Sequence, residues 1–305
     1  MNSSAGNSPK NLQRNLLAAV IAFTGAFLPV KVTSQPAVPP LTTVSGSPRL
    51  PGKFVWADLV TDDVASAQRF YAQLFGWTFQ DMGGYLIAAN EERPLCGMFQ
   101  RERPAGQPEA RPRWFGYISV ASVERAQRTV AKAGGRVLAA AKKLPKRGEQ
   151  AVFADPEGAI FGVMKSSSGD PQDFKADPGD WIWIQLMSRD GVQASEFYRK
   201  VGGYEVIKNT SSKRLSDQVL ASEGYARATV RTIPKENENV HPTWLLFLRV
   251  QRVSESVAQA KQLGGKVLLE PRPEFLESKV AVISDPTGAA IGLMEWSDEL
   301  LKGGR

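Results

Sequence analysis

The chain has 305 residues, of which 42% are hydrophobic and 23% charged, a balance that excludes a fibre or a disordered polymer and gives enough length for two separately cored domains. Its formal net charge is +7, but Lys10, Arg14 and Lys31 supply three of those charges and no acid precedes residue 35, so the remainder is only mildly basic. With Cys96 as the one cysteine no disulfide can form within the chain, and its neighbours Leu95, Met98 and Phe99 point to a buried, inert thiol.

Lys10 and Arg14 precede an apolar run from Leu16 to Val30, followed by the small residues Val32 and Ser34. That is the order of a charged region, an apolar region and a cleavage site, so residues 1–34 read as a signal peptide for export to a periplasmic or extracellular space. Left uncleaved, the run would be an N-terminal membrane anchor, although it is shorter than the roughly 20 apolar residues of a spanning helix. Residues 35–52, rich in Pro, Ser and Thr, read as a flexible linker.

From Phe54 to Val60 the pattern is that of a strand, and Val64, Ala67, Phe70, Tyr71, Leu74 and Phe75 then recur at helical spacing until Gly76. Strand-like pieces follow at Thr78–Gln80, Tyr85–Ala88 and Cys96–Gln100. After a Pro-, Gly- and charge-rich stretch from Pro104 to Pro112 the order returns. A strand covers Trp114–Val120, a helix runs from about Val123 to Ala133 with Gly134-Gly135 as its cap, and strands lie near Val137, at Ala151–Ala154 and at Ile160–Met164. Lys142, Lys143, Lys146 and Arg147 fall in a predicted loop around Pro145 and Gly148. No aromatic residues interleave with them, so they read as solvated loop charge rather than a nucleic-acid surface.

The chain then repeats itself. Trp56-Ala57-Asp58-Leu59, Asp63 and Phe70-Tyr71 return 127 positions later as Trp183-Ile184-Gln185-Leu186, Asp190 and Phe197-Tyr198. Gly134-Gly135 and Asp155-Pro156-Glu157-Gly158-Ala159 return 130 positions later as Gly264-Gly265 and Asp285-Pro286-Thr287-Gly288-Ala289. Helices are expected near Val192–Lys200 and Val253–Leu263, which makes an α+β protein of four βαβββ units in two pairs, with curved mixed sheets backed by helices. The units occupy residues 53–166 and 180–297, joined by a linker at 167–179 and followed by a tail at 298–305.

The order strand, Asp, Phe-Tyr seven residues on, Gly-Trp or Gly-Tyr, then Asp-Pro-x-Gly-Ala resembles the vicinal oxygen chelate superfamily, which includes glyoxalase I, bleomycin resistance proteins and extradiol dioxygenases. The resemblance implies a cup in each curved sheet and, in the enzymes, a divalent metal there. The positions it assigns to the ligands are held by Trp56, Phe115 and Gly162 in the first copy and by Trp183, Leu245 and Gly292 in the second, none of which binds a metal through its side chain. His241, the one histidine, stands four residues from a family position and reads as a surface residue before a strand. No metal and no cofactor is therefore expected.

Strand alternation places Trp56 and Asp58 in the first cup with Phe115, Tyr117 and Ser119, and Val55, Ala57 and Leu59 on the helix side. In the second copy it puts Trp181, Trp183, Gln185 and Met187 in the cup with Leu245, Phe247 and Arg249, and Ile182, Ile184 and Leu186 behind; Gly162 and Gly292 clear space opposite the tryptophans. These aromatic cups predict a protein that binds or sequesters a small aromatic or amphipathic molecule gripped by Trp56 and Trp183. Two alternatives stay open. One is an enzyme, either a lyase or isomerase with Asp58 as general base or a metal enzyme with ligands relocated to Asp58, Gln100, His241 or Glu295; the other is an assembly module whose cups are filled core. Paired βαβββ units combine within one chain or between chains, so a homodimer also stays open.

Overall fold

The computed structural model describes residues 38–43, 46–101, 111–208, 218–273, 276–277 and 279–296. The expected signal peptide and the C-terminal tail lie outside the described residues. The first copy contains β1 (Phe54–Thr61), α1 (Val64–Phe75), β2 (Thr78–Asp81), β3 (Tyr85–Asn90), β4 (Arg93–Gln100), β5 (Arg113–Ser119), α2 (Val123–Lys132), β6 (Arg136–Leu144), β7 (Gly148–Ala154) and β8 (Ile160–Ser166). The second contains β9 (Trp181–Ser188), α3 (Gly191–Gly202), β10 (Glu205–Lys208), β11 (Gln218–Ser222), β12 (Tyr225–Thr232), β13 (Thr243–Val250), α4 (Val253–Gln262), β14 (Lys266–Leu269), β15 (Val280–Ser284) and β16 (Ala290–Glu295). Each copy is one eight-stranded mixed sheet, ordered β2-β3-β4-β1-β5-β8-β7-β6 and β10-β11-β12-β9-β13-β16-β15-β14. This is the fourfold βαβββ arrangement expected from the repeat.

The repeated residues explain the local structure. Asp63 and Asp190 cap α1 and α3 by accepting from the amides of Ser66 and of Val192 and Gln193, and Gly76 and Gly203 end those helices in the left-handed region. Other repeated residues meet across the two copies. Tyr71 donates its hydroxyl to Asp285 at 3.1 Å and accepts the Trp114 indole N–H at 2.7 Å; Tyr198 donates to Asp155 at 3.0 Å and accepts from Trp244 at 2.8 Å. Trp77 and Tyr204 likewise each reach across to a backbone carbonyl, those of Gly179 and Gly52. A Cβ on Gly135 would lie 3.2 Å from Phe197, and one on Gly265 would lie 3.0 Å from Phe70, so each Gly-Gly pair makes room for a phenylalanine of the other copy. The main hydrophobic core is accordingly continuous between copies, with α1 against α4 and α2 against α3.

The strands carry one irregularity the alternation does not show. Val55 is an extra residue between the pairs Phe54↔Ile118 and Trp56↔Tyr117, and Ile182 is its counterpart between Trp181↔Leu248 and Trp183↔Phe247. A bulge shifts the faces by one residue. Val55 therefore joins Trp56 on the cup side, while Phe54 packs on the main core. Trp181 leaves the expected cup for the junction of the copies, edge-on to Trp77 and Trp114, with its indole donating to Leu95 O.

Two more expectations are corrected. The described part of the 35–52 linker is folded against the first copy and the start of the 167–179 linker: Leu41 is buried among first-copy residues, Arg49 donates to Ser166 O, Thr42 bonds Ser168 through both its amide and its hydroxyl, and Leu50 N donates to Asp170. The basic cluster is solvated only in part: Lys143 and Lys146 are exposed. β6 extends through Lys142 and Lys143, and Arg147 in the following turn is 2% exposed.

Tyr71→Phe and Tyr198→Phe should each lower the unfolding free energy by about 1–3 kcal/mol, because each leaves a buried carboxylate oxygen and an indole N–H without their partner. The two sites share no partner, so the double variant should lose about the sum in urea denaturation followed by fluorescence; a loss equal to one single variant would show that the two contacts do not act independently.

Candidate functional site: two unlike cups and the cavity between them

In the first cup Trp56 faces inward beside Asp58, as the alternation expects, and four polar groups gather around it. Asp58 Oδ1 accepts from the Trp56 indole at 3.0 Å and from the Tyr85 hydroxyl at 2.7 Å, and Oδ2 accepts from Tyr117 at 2.8 Å. The Arg147 guanidinium lies 3.9 Å above the Trp56 ring and donates to Pro39 O, while Leu41 packs on the same cluster with Phe115, Ile87, Val152 and Met164. Trp56, Asp58, Phe115 and Tyr117 are all brought together here, and all are buried. Tyr85, Arg147 and Leu41 were not singled out from sequence. Tyr85 had a signal in Gly97: a Cβ there would lie 1.9 Å from the Tyr85 hydroxyl and 2.5 Å from Asp58, so the glycine makes the contact possible.

Burial pushes the Asp58 carboxyl above its ordinary value of 3.8, against the hydroxyls of Tyr85 and Tyr117, the Arg147 charge and the Trp56 indole, all of which favour the carboxylate. Burial likewise pushes up the Tyr85 and Tyr117 hydroxyls, with Asp58 adding to the effect, and it pushes up the Cys96 thiol, which is fully buried.

The second cup has the same frame and different chemistry. Gln185 stands for Asp58 and Phe247 for Tyr117, so the charge and the hydroxyl are both gone. Trp183 donates to Thr229 Oγ1 at 3.0 Å, and Gln185 donates to the Met187 sulfur at 3.1 Å. Trp183, Gln185, Met187 and Leu245 are only partly buried, so this cup is more open than the first. Arg249 is drawn to backbone oxygens, those of Ala176 and of Trp296. His241 is exposed, two residues before β13.

The implied metal positions do not fit a metal. Beyond the lack of donor side chains, a Cβ on Gly162 would lie 2.2 Å from Tyr117 Cδ1 and one on Gly292 2.2 Å from Phe247 Cδ1. A ring thus fills the space where the resemblance puts a ligating Glu, in both copies. Among the described residues no group of three or more His, Cys, Asp or Glu side chains converges.

An opening lies between the copies. Parallel pairing of β1 with β4 begins only at Asp58↔Gly97, and that of β9 with β12 only at Gln185↔Thr229. Ahead of those pairs β1 parts from β4 and β9 from β12, each staying paired with its other neighbour, and a cavity of about 700 Å³ lies there. Its walls come from corresponding positions of the two copies: Val55 and Trp56 face it from one, Ile182 and Trp183 from the other. Linker residues 39–43 and 171–174 complete it, and Lys53, Arg93, Asp173 and Arg227 supply charge. Trp56 and Trp183, which sequence placed in separate cups, therefore share one cavity.

Residues 55–164 match the family model for the glyoxalase-like domain. The anthracycline biosynthesis protein DauV of Streptomyces sp. (strain C5) is 29% identical over 260 residues, covering 80% of this chain and 94% of that protein. Among solved structures, the Mn(II)-bound glyoxalase from Novosphingobium aromaticivorans shares the fold with a TM-score of 0.54 at 15% identity, over 81% of this chain and 82% of that one. Homoprotocatechuate 2,3-dioxygenase from Brevibacterium fuscum does so with a TM-score of 0.57 at 11% identity, over 85% and 84%.

Because the folded protein holds the Asp58 proton more tightly than the unfolded chain does, Asp58 withdraws stability as pH rises from 3.8 through its higher folded value. Asp58→Asn should remove that part of the pH dependence. Denaturation midpoints measured from pH 3 upward should give a wild-type minus variant difference that falls with pH and then levels off; a difference that rises with pH would reverse the sign assigned here.

Proposed function

We propose that this chain, which belongs to the vicinal oxygen chelate superfamily as a tandem of two glyoxalase-like domains, binds a small aromatic or amphipathic molecule in the cavity between its copies, without a metal. One observation carries the reading: two tryptophans at corresponding positions, Trp56 and Trp183, border a single cavity of about 700 Å³. That volume is within the range of small-molecule sites, and its mixture of aromatic walls with a few charged groups is what orients such ligands. The relative named for anthracycline biosynthesis adds support for small-molecule chemistry. Asp58 is a poor general base in this arrangement, because three donors already occupy its oxygens.

The neutral fluorophore N-phenyl-1-naphthylamine should bind the chain from residue 35 onward, which holds every described residue, at one site per chain. Trp183→Ala should weaken that binding about tenfold, equivalent to ~1.4 kcal/mol. Unchanged binding together with a stability loss of about 3–5 kcal/mol would instead mark Trp183 as core and support an assembly module.

We also propose that the protein is exported, on the strength of Lys10, Arg14 and the apolar run Leu16–Val30. Mass spectrometry of the protein from its host should find a mature N-terminus near Gln35 in the exported fraction. An intact Met1 terminus in a soluble intracellular fraction would refute this.

A further inference from the structure

The cavity walls hold two arginines whose hydrogen bonding is incomplete. Arg227, with a side chain only 5% exposed, gives Nη1 to both oxygens of Asp173 at 2.8 and 2.9 Å and Nε to Ser222 Oγ at 3.2 Å, while its Nη2 is buried without a partner. Arg93 gives Nη2 to Asp180 at 2.7 Å and to Asp177 at 3.4 Å, its Nε is buried without a partner, and its guanidinium lies 4.6 Å from the Phe174 ring. The two residues come from different copies and line the same cavity. A buried charged donor left unpaired is costly, more so than a neutral one.

Resting on the cavity reading above, we propose that the ligand is an aromatic acid: a flat ring system carrying an anionic oxygen group that Arg227 receives, with Arg93 as the second donor. Guanidinium only donates, so whatever completes these groups is an acceptor, and an ionised oxygen makes the strongest such bond. Lys53, 13% exposed, stands beside Arg227 and shares Asp173 with it. Asp173 thus serves two cations, and Asp170, the other nearby carboxylate, accepts from Leu50 N and Ser119 Oγ through Oδ2, while its Oδ1 is buried without a partner. Glu92 is on the wall as well, on the Arg93 side of the cavity, which makes the Arg227 end the anion's end. The ring system then lies between Trp56 and Trp183.

Two probes of one skeleton test this: 8-anilinonaphthalene-1-sulfonate carries the anion, and N-phenyl-1-naphthylamine lacks it. The chain from residue 35 onward should bind the sulfonate at least tenfold more tightly. Arg227→Gln should abolish that preference, weakening the sulfonate at least tenfold more than the neutral probe. Arg93→Gln, which spares the Asp173 cluster, should reduce the preference by a smaller factor, and near-ultraviolet circular dichroism checks the fold of each variant. Equal affinity of wild type for the two probes, or equal loss of both in Arg227→Gln, would overturn the inference while leaving the cavity reading in place. Binding of neither probe would overturn both.

Discussion

Everything about where this molecule opens and closes depends on a hydroxyl given across its internal two-fold. Tyr71 and Tyr198 each reach an aspartate that the other copy holds in an Asp-Pro-x-Gly turn, and each is in turn held by a tryptophan indole. The aspartates are pushed above the ordinary carboxylate value by burial, and the turn amides and the tyrosine hydroxyls oppose that. A turn that fixes its own carboxylate makes a rigid acceptor, so the partner copy docks in one orientation. With α1 locked on α4 and α2 on α3, the first strands of the two copies converge, and the space between them becomes a cavity with matching walls.

The two copies use one frame for opposite ends. In the first, a carboxylate at position 58 collects an indole, two hydroxyls and a nearby guanidinium, and the residue 39–43 segment covers them. A buried charge is tolerated only when so fully partnered, and the partnering fills the cup. In the second, an amide replaces the carboxylate and a phenyl replaces a phenol, so nothing gathers polar groups there and the cup stays partly open. The same frame thus reaches two outcomes, which differ at the residue two positions after the tryptophan.

The repeat, its spacing and the alternation of the strands made the fold legible in the sequence, and with it the cup residues Trp56, Asp58, Phe115 and Tyr117. What stayed hidden had physical reasons. Bulges at Val55 and Ile182 displace the face of every residue before them, and nothing in FVWADLV or WIWIQLM distinguishes a bulged strand from a regular one. Arg147 sits in a run of lysines beside a proline, the composition of a solvated turn, yet its ring partner Trp56 is 91 residues away in sequence. Contacts between copies are longer still: Tyr71 and Asp285 are separated by 214 positions, and periodicity within one copy carries no information about them. Both residues recur in the repeat because they build the same docking surface twice.

A duplicated chain brings corresponding residues together wherever its copies meet. A two-fold axis between identical copies would place like residues opposite each other, and here Trp56 faces the cavity with Trp183 and Val55 with Ile182. The apolar walls have kept that likeness while the charged positions have not: Leu95 of one copy corresponds to Arg227 of the other, and Lys53 to Asp180. Lys53 and Arg227 fall together on Asp173, and Asp180 is taken by Arg93. The cavity is therefore symmetric in its apolar walls and asymmetric in its charge, so its two ends present different chemistry to whatever enters.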